Sequence, residues 1–475
     1  MGPGRGRATR RRDVVRPSAY APGERPAVTV LLYTLGVVIF ALALVISIAL
    51  HEVGHMAFAK KFGGKVTQYF VGFGPTVWST QVGETEYGLK AIPLGGFVKI
   101  VGMLPPGADD LAKPAGVDEH GQPVHRIRRS NTGMFTQLVS DARAAEWELI
   151  SPEDEPRLFY RMAWWKKVTV MAAGPAVNIA IAFAIFLPLF ATYGNTADVR
   201  IDPVVADVSA CVVPASENAR VCTPDDPIAP ARAAGIEVGD EILSFNGAPA
   251  DDWEALQRVI RDNSDGRAEI VVRRDGEELT LTTNTTVTAR PTGEGAEVEQ
   301  VGFLGVTPTA SPQTGGLLYT VEEMGAMTVR TAEALVDLPV KVWGVAKAIV
   351  GLEERDPMGP VSIVGGGRLA GETVSHEVID WADKGAFLLM LIAGFNFFIG
   401  VFNFVPLLPL DGGHIAGALY EAVRRGWAKL FRRPDPGYFD VAKLLPVAYV
   451  VGVSLLVMGV VLIVGDFVVP VRLAG

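Results

Sequence analysis

Cysteine is nearly absent from this chain of 475 residues: Cys211 and Cys222 are the only two. That scarcity excludes a disulfide-stapled scaffold and a cysteine-rich zinc fold. Histidine is also sparse, at six residues, and lysine is missing altogether from residues 196–310, a stretch with nine arginines and twenty-one acidic residues. The net charge of −9 and the lack of a basic stripe with interleaved aromatics exclude a nucleic-acid binder. Charge of either sign is missing from residues 28–50. An uncharged helix of that length, rising about 1.5 Å per residue, crosses a hydrocarbon core of about 30 Å. Hydrophobic residues make up 49% of the chain, which fits several such spans.

What is present at the end of that uncharged run is His51-Glu52-Val53-Gly54-His55, followed by Lys60 and Lys61. On a helix, imidazoles at i and i+4 share one face at the spacing a zinc ion requires, and the glutamate beside them can activate a water at the metal. Ionisable groups at membrane depth are costly and mark function. The stretch therefore points to a metallopeptidase placed near the edge of a bilayer.

Along the chain, residues 1–26 carry seven arginines without apolar periodicity and read as a disordered tail. The first transmembrane helix covers 27–62. Residues 63–103 change to a β pattern, with strands at 66–78 and 86–101 and glycines at the bends, and read as membrane-associated hairpins. A polar insertion follows at 104–162, where His120 and His125 read as solvated loop residues. A second transmembrane helix occupies 163–195 and carries Gly174, Pro175 and Asn178 near its start, small or polar residues suited to a helix contact or a cavity wall. Residues 311–382 read as an amphipathic linker. A third transmembrane segment covers 383–414, a basic cytoplasmic loop 415–443, and a fourth transmembrane helix 444–472.

Residues 196–310 are soluble in composition. Their order of helix, Gly-Asp turn, strand, Asn-Gly turn, helix and hairpin resembles a PDZ domain of the bacterial, permuted type, which implies a peptide-binding groove, expected beside residues 204–208. If this domain faces outward, Cys211 and Cys222 can close a short loop as a disulfide.

Lysines and arginines favour the cytoplasmic flanks of spans. Lys166 and Lys167 set the start of the second span inside, so the acidic domain after it lies outside and the third span runs inward to Arg424, Arg425, Lys429, Arg432 and Arg433. The first span then ends inside at Lys60 and Lys61. The arginine-rich tail conflicts with that orientation, a conflict that a translation start near Val28 would remove. Spans one and three run in the same direction, which brings HEVGH to the depth of Asp411, the one carboxylate of a long uncharged segment. His51, His55 and Asp411 thus form a three-ligand zinc set with Zn²⁺ as cofactor, leaving a fourth position open. Pro406 and Pro409 break the helix beside a water-filled cavity. Asn396 and Asn403 lie seven residues apart with Gly400 between them and form a polar stripe toward the site, with Asn403 placed to hold a substrate carbonyl or polarise the scissile bond; structural hydrogen bonding between spans suits Asn396 equally. His414 reads as a cytosolic interfacial histidine, with support of the metal ligands from behind as the alternative.

His-Glu-x-x-His on the first span with Asn403-x-x-Pro406-x-x-Pro409-Leu410-Asp411-Gly412 on the third resembles the site-2 protease family of intramembrane zinc metalloproteases, most nearly the actinobacterial regulators of intramembrane proteolysis. The likeness extends to Gly72-Phe73-Gly74-Pro75, to residues 93–99, to Ala173-Gly174-Pro175 with Asn178, and to Met358-Gly359-Pro360. It implies a polytopic α-helical membrane protein: a four-span zinc protease core, membrane-associated β-hairpins and one inserted extracytoplasmic PDZ domain. It further implies Glu52 as the general base, and a hairpin at 86–101, with Gly95, Gly96 and Phe97, that receives unwound substrate as an added strand. Substrates of the family are single-span membrane proteins such as anti-sigma factors, already trimmed by an upstream site-1-type protease. The polar insertion and the cysteine-bracketed loop depart from the family pattern and leave the choice of substrate open. The alternative from another class is a membrane-embedded PDZ scaffold that binds peptides, its metal structural or absent.

Overall fold

The computed structural model describes residues 26–105, 139, 142–143, 152–213, 222–291 and 298–471. The arginine-rich tail, most of the polar insertion, and His120 and His125 lie outside the described residues. The chain divides into two compact units, Met1–Phe186 with Glu323–Gly475, and Leu187–Glu322.

The first unit begins with helix α1, Pro26–Lys61, apolar on every face until the motif near its end. Strands β1, Val66–Val82, and β2, Thr85–Ile100, follow as an antiparallel pair. Each strand folds back on itself: Tyr69 pairs with both Val98 and Tyr87, and Thr80 pairs again with Tyr87. The bends fall at Gly72, Gly74 and Gly95, all at positive φ. The result is a small four-ribbon sheet in which residues 96–100 form one edge. Tyr69 ties this sheet to α1 by donating its hydroxyl to the Ala49 carbonyl at 2.9 Å.

Helix α2 spans Trp164–Thr192. In the second unit, strand β3, Asn195–Val208, precedes helix α3, Pro230–Ala234, and strands β4, Glu241–Phe245, and β5, Ala248–Pro249. Helix α4, Trp253–Asp262, starts where the Asp252 carboxylate accepts the Ala255 amide at 2.6 Å. Strands β6, Arg267–Arg274, β7, Glu277–Asn284, β8, Thr286–Pro291, β9, Val298–Phe303, and β10, Val306–Gln313, complete it. The main sheet runs β10-β3-β4-β6-β7, and its buried face, with Ile242, Phe245 and Ile270, forms a core of its own with Leu256 of α4. Cys211 and Cys222 are bonded to each other, with α-carbons 6.0 Å apart. The expected groove beside residues 204–208 is corrected by this sheet order. Val205 and Val208 pair with β10, and Val204 pairs with Glu241 of β4, so neither edge of β3 has a free row of amides there to take a peptide.

Helix α5, Leu317–Ile349, leads back into the first unit. Residues 365–367, expected in a linker, lie within helix α6, Ile363–Ser375, whose start is capped by the Ser362 hydroxyl. The glycines serve packing: a methyl group on Gly366 would stand 2.8 Å from the Phe395 ring, and one on Gly36 of α1 would stand 2.4 Å from the Ala370 carbonyl oxygen. Helix α7, Trp381–Asn403, ends earlier than the expected third segment, and helix α8, Asp411–Leu430, replaces much of the expected basic loop. A turn at residues 404–410 separates them, because Pro406 and Pro409 cannot continue the helix. Gly412 and Gly413 let the start of α8 press against that turn, where a side chain would meet backbone atoms of Val405 and Leu408. Helix α9, Leu445–Val468, closes the fold. Among the described residues, four helical segments are long and apolar enough to cross a membrane: Ala27–Lys61, Trp164–Thr192, Trp381–Asn403 and Val441–Val468.

Candidate metal centre

The site is assembled from α1, α2, α8 and the sheet edge. His51 and His55 lie one turn apart on α1 and are both buried. Their Nε2 atoms are 3.1 Å apart, and each is 3.2 Å from Oδ2 of Asp411, the first residue of α8. The motif and Asp411 therefore meet across 356 residues of sequence, although Asp411 opens a new helix instead of closing the third span.

The remaining ring nitrogens fix the chemistry of this triangle. His51 Nδ1 faces the Asn178 side-chain oxygen at 2.6 Å, and His55 Nδ1 faces the Val170 carbonyl at 2.8 Å. Both are acceptors, so the Nδ1 atoms carry the ring protons and the Nε2 atoms present lone pairs. Two imidazole lone pairs and a carboxylate oxygen at 3.1–3.2 Å repel one another unless a cation lies among them. Tetrahedral zinc with bonds of about 2.0–2.1 Å separates its ligands by about 3.3 Å, close to the edges of this triangle. Among the described residues, these three are the set of His, Cys, Asp and Glu able to hold a metal ion, and their donor chemistry fits zinc.

Helix α2 is brought close by small residues. A methyl group on Gly54 would stand 2.7 Å from the Ala173 carbonyl, and one on Gly174 would stand 2.3 Å from His55 Nε2. Of the small and polar residues of α2 read from sequence as suited to packing or cavity lining, Gly174 lies against both imidazoles and Asn178 faces His51.

A cavity of about 400 Å³ opens beside the triangle. Glu52 lines it together with Gly95, Gly96 and Phe97 of β2, Asn403 of α7 and His414 of α8. Gly96 stands against Glu52: a methyl group on it would be 3.2 Å from the Glu52 Cγ. The Asn403 amide nitrogen is turned to its own helix, donating to the Ile399 carbonyl at 3.0 Å. His414, read as a cytosolic interfacial histidine or a group behind the metal ligands, stands in the cavity wall one turn along α8 from Asp411. Asn396, read either on a stripe toward the site with Asn403 or as a hydrogen-bonding residue between spans, takes the second place: it is fully buried and faces α2, where it accepts from the Asn178 amide at 3.1 Å. Sequence reasoning gave Asn178 no specific partner; the available signal was a polar side chain within an otherwise uncharged span.

Comparison with known proteins agrees with this chemistry. A family model described as peptidase family M50 matches residues 39–432. The chain is 34% identical over 457 residues to the zinc metalloprotease Rip1 of Mycobacterium tuberculosis strain H37Rv, a match covering 93% of this chain and 100% of the relative. It is 35% identical over 434 residues to the zinc metalloprotease Rip1 of Mycolicibacterium smegmatis, covering 89% and 94%.

Proposed function

Because this chain belongs to peptidase family M50 and is a zinc metalloprotease, we propose that it cleaves peptide bonds within the transmembrane segments of single-span membrane proteins. Substrates of the anti-sigma-factor kind, first trimmed by a site-1-type protease, fit this proposal. Membership in a protease family displaces the alternative of a binding scaffold. The observation that carries the proposal is the shared cavity, where Glu52 and the edge strand at Gly95 and Gly96 stand side by side near His51, His55 and Asp411.

In this reading His51, His55 and Asp411 hold zinc. Zinc, when bound, supplies the positive charge that polarises a scissile carbonyl and acidifies the attacking water. Glu52 takes a proton from that water as it attacks the carbonyl carbon, then delivers the proton to the leaving nitrogen as the C–N bond breaks. Asn403 turns from the Ile399 carbonyl to donate to a substrate carbonyl. A membrane-spanning helix hides its peptide bonds in its own hydrogen bonds, so the substrate must unwind before attack. Residues 96–100 pair with β1 on one side and, among the described residues, with no strand on the other, an edge able to take the unwound segment as an added strand.

The second unit is proposed as an extracytoplasmic PDZ domain. Its lysine-free acidic composition and its joined Cys211 and Cys222 support that location. Since β3 is paired on both sides, the outer edge of β10 is the place where a peptide would add.

The experiment is a cleavage assay with the purified full chain in detergent and a single-span reporter. Glu52→Ala is expected to retain zinc and lose cleavage. Cleavage at the wild-type rate would overturn the assignment of Glu52 as base. Membrane proteomics of cells carrying wild type and Glu52→Ala would then identify the accumulated substrate.

A further inference from the structure

The two imidazoles of the metal centre are held by acceptors of different kinds. His55 Nδ1 donates directly to a backbone carbonyl, that of Val170. His51 Nδ1 donates to the side-chain oxygen of Asn178, and an amide can turn over to present its nitrogen instead. With the amide reversed, Asn178 would offer a donor to Nδ1, and the ring proton would be driven to Nε2, the atom that faces the metal.

A second amide prevents that reversal. Asn178 Nδ2 donates to Asn396 Oδ1 at 3.1 Å, and Asn396 Nδ2 donates to the Ile392 carbonyl at 2.9 Å. A carbonyl oxygen only accepts, so Asn396 must turn its nitrogen to Ile392 and its oxygen to Asn178. Asn178 must then turn its nitrogen to Asn396 and its oxygen to His51. The direction of every hydrogen bond in the chain is set from its far end. Both asparagines are fully buried, so no water competes for these positions. The helices meet closely enough for the contact because Gly400, one turn beyond Asn396, lies against α2, where a methyl group would stand 2.7 Å from Ile179 Cγ1 and 3.1 Å from the Pro175 carbonyl oxygen.

We infer that Asn396 is a positioning residue for zinc: acting through Asn178 from the helix that also carries Asn403, it fixes the His51 tautomer whose Nε2 lone pair faces the metal. The inference deepens the proposed function and rests on His51 being a zinc ligand. Outer partners of metal-bound histidines typically contribute 10–100-fold in metal affinity.

The test is zinc affinity, measured by competition with a chromophoric chelator on the purified full chain in detergent. Asn396→Leu is expected to weaken zinc binding about tenfold, at the lower end for outer partners because it acts through an intermediary. Asn178→Asp puts an obligate acceptor against His51, since both carboxylate oxygens accept and turning the group over changes nothing. Adding Asn396→Leu to Asn178→Asp is therefore expected to cost no further affinity. A packing role for Asn396 would give the same loss in both backgrounds and would overturn the inference, as would wild-type affinity in Asn396→Leu. If leucine there prevents recovery of monodisperse protein, Asn396→Ala removes the same acceptor without added bulk and is compared in the same two backgrounds. His51→Ala serves as the separate control: undiminished zinc binding in that variant would remove His51 from the ligand set and so refute the underlying assignment, not the relay alone.

Discussion

A methyl group placed on the α-carbon of Gly174 would stand 2.3 Å from Nε2 of His55 and 2.8 Å from Nε2 of His51. Helix α2 thus forms one wall of the metal site with bare backbone, and no side chain fits between that wall and the imidazoles. Gly174→Ala is expected to displace one or both rings and to lower zinc affinity at least tenfold, with a parallel loss of proteolysis. Chelator competition measures the first and reporter cleavage the second. Wild-type zinc affinity in Gly174→Ala would mean that the rings yield without leaving the site.

Asp411 supplies the only carboxylate oxygen within 3.2 Å of both His51 and His55 among the described residues. Asp411→Ala removes one of three donors and is expected to lower the zinc content of the purified protein well below one ion per chain. Metal analysis at full occupancy would exclude Asp411 from the ligand set. Treatment of the wild type with a strong chelator should abolish cleavage, and added zinc should restore it.

Lys167 of α2 and Glu421 of α8 form an ion pair at 2.8 Å, with both side chains buried. Glu421 also accepts the Phe439 amide at 3.1 Å. Removing one partner of a buried pair leaves a charge without compensation and costs about 3–5 kcal/mol, whereas replacing both with apolar residues can be close to neutral. Glu421 is also paired with Arg425 at 3.4 Å, whereas Lys167 pairs, among the described residues, with Glu421 alone. Glu421→Leu therefore strands the Lys167 charge and is expected to lower the thermal midpoint in detergent more than the double variant Lys167→Met with Glu421→Leu does. Equal losses in the two variants would show that the pair's charge is not what the packing depends on.

In the second unit, Asp240 is buried and receives Arg274 at 2.7 and 2.8 Å and the Glu237 amide at 2.9 Å. The Arg274 guanidinium, ahead of the opposing effect of burial, holds the Asp240 carboxyl below its ordinary range. A carboxyl with a depressed folded-state pKa stabilises the fold fully above its unfolded value of about 4, and that contribution is lost as the pH falls through the lower folded value. Asp240→Asn is expected to speed amide exchange in β4 relative to wild type at pH 7. The difference should narrow at pH below about 4, once exchange is corrected for its intrinsic pH dependence. A difference that does not change with pH would place the effect in shape and not in charge.

Much of this arrangement was legible in the sequence because its signals are local. The i, i+4 spacing of His51 and His55 puts both rings on one face of any helix, and the lack of charge over residues 28–50 makes a helix apolar enough to cross a membrane. Helix α4 could be placed from its apolar spacing, just beyond Asp252. Helix α6 was not legible, since Gly365, Gly366 and Gly367 suggest a loop by propensity; the Ser362 cap, with Gly365 packed on Asp466 and Gly366 on Phe40 and Phe395, keeps them helical. The occupied edge of β3 was equally hidden, because the strand that covers it, β10, arrives about a hundred residues later.

By itself the sequence determined which side chains are able to serve as donors at the candidate metal centre, the spacing of two of them, and which segments are apolar enough to enter a membrane. Covalent neighbours and helical periodicity suffice for those. The tertiary structure alone decided that Asp411 reaches the imidazoles from the start of a separate helix. It also decided that Gly174 must be bare, and that Asn396 and Asn178 set the proton of His51. Each of these depends on helices distant in sequence approaching to within a side chain's length, and close packing, not local pattern, determines that approach.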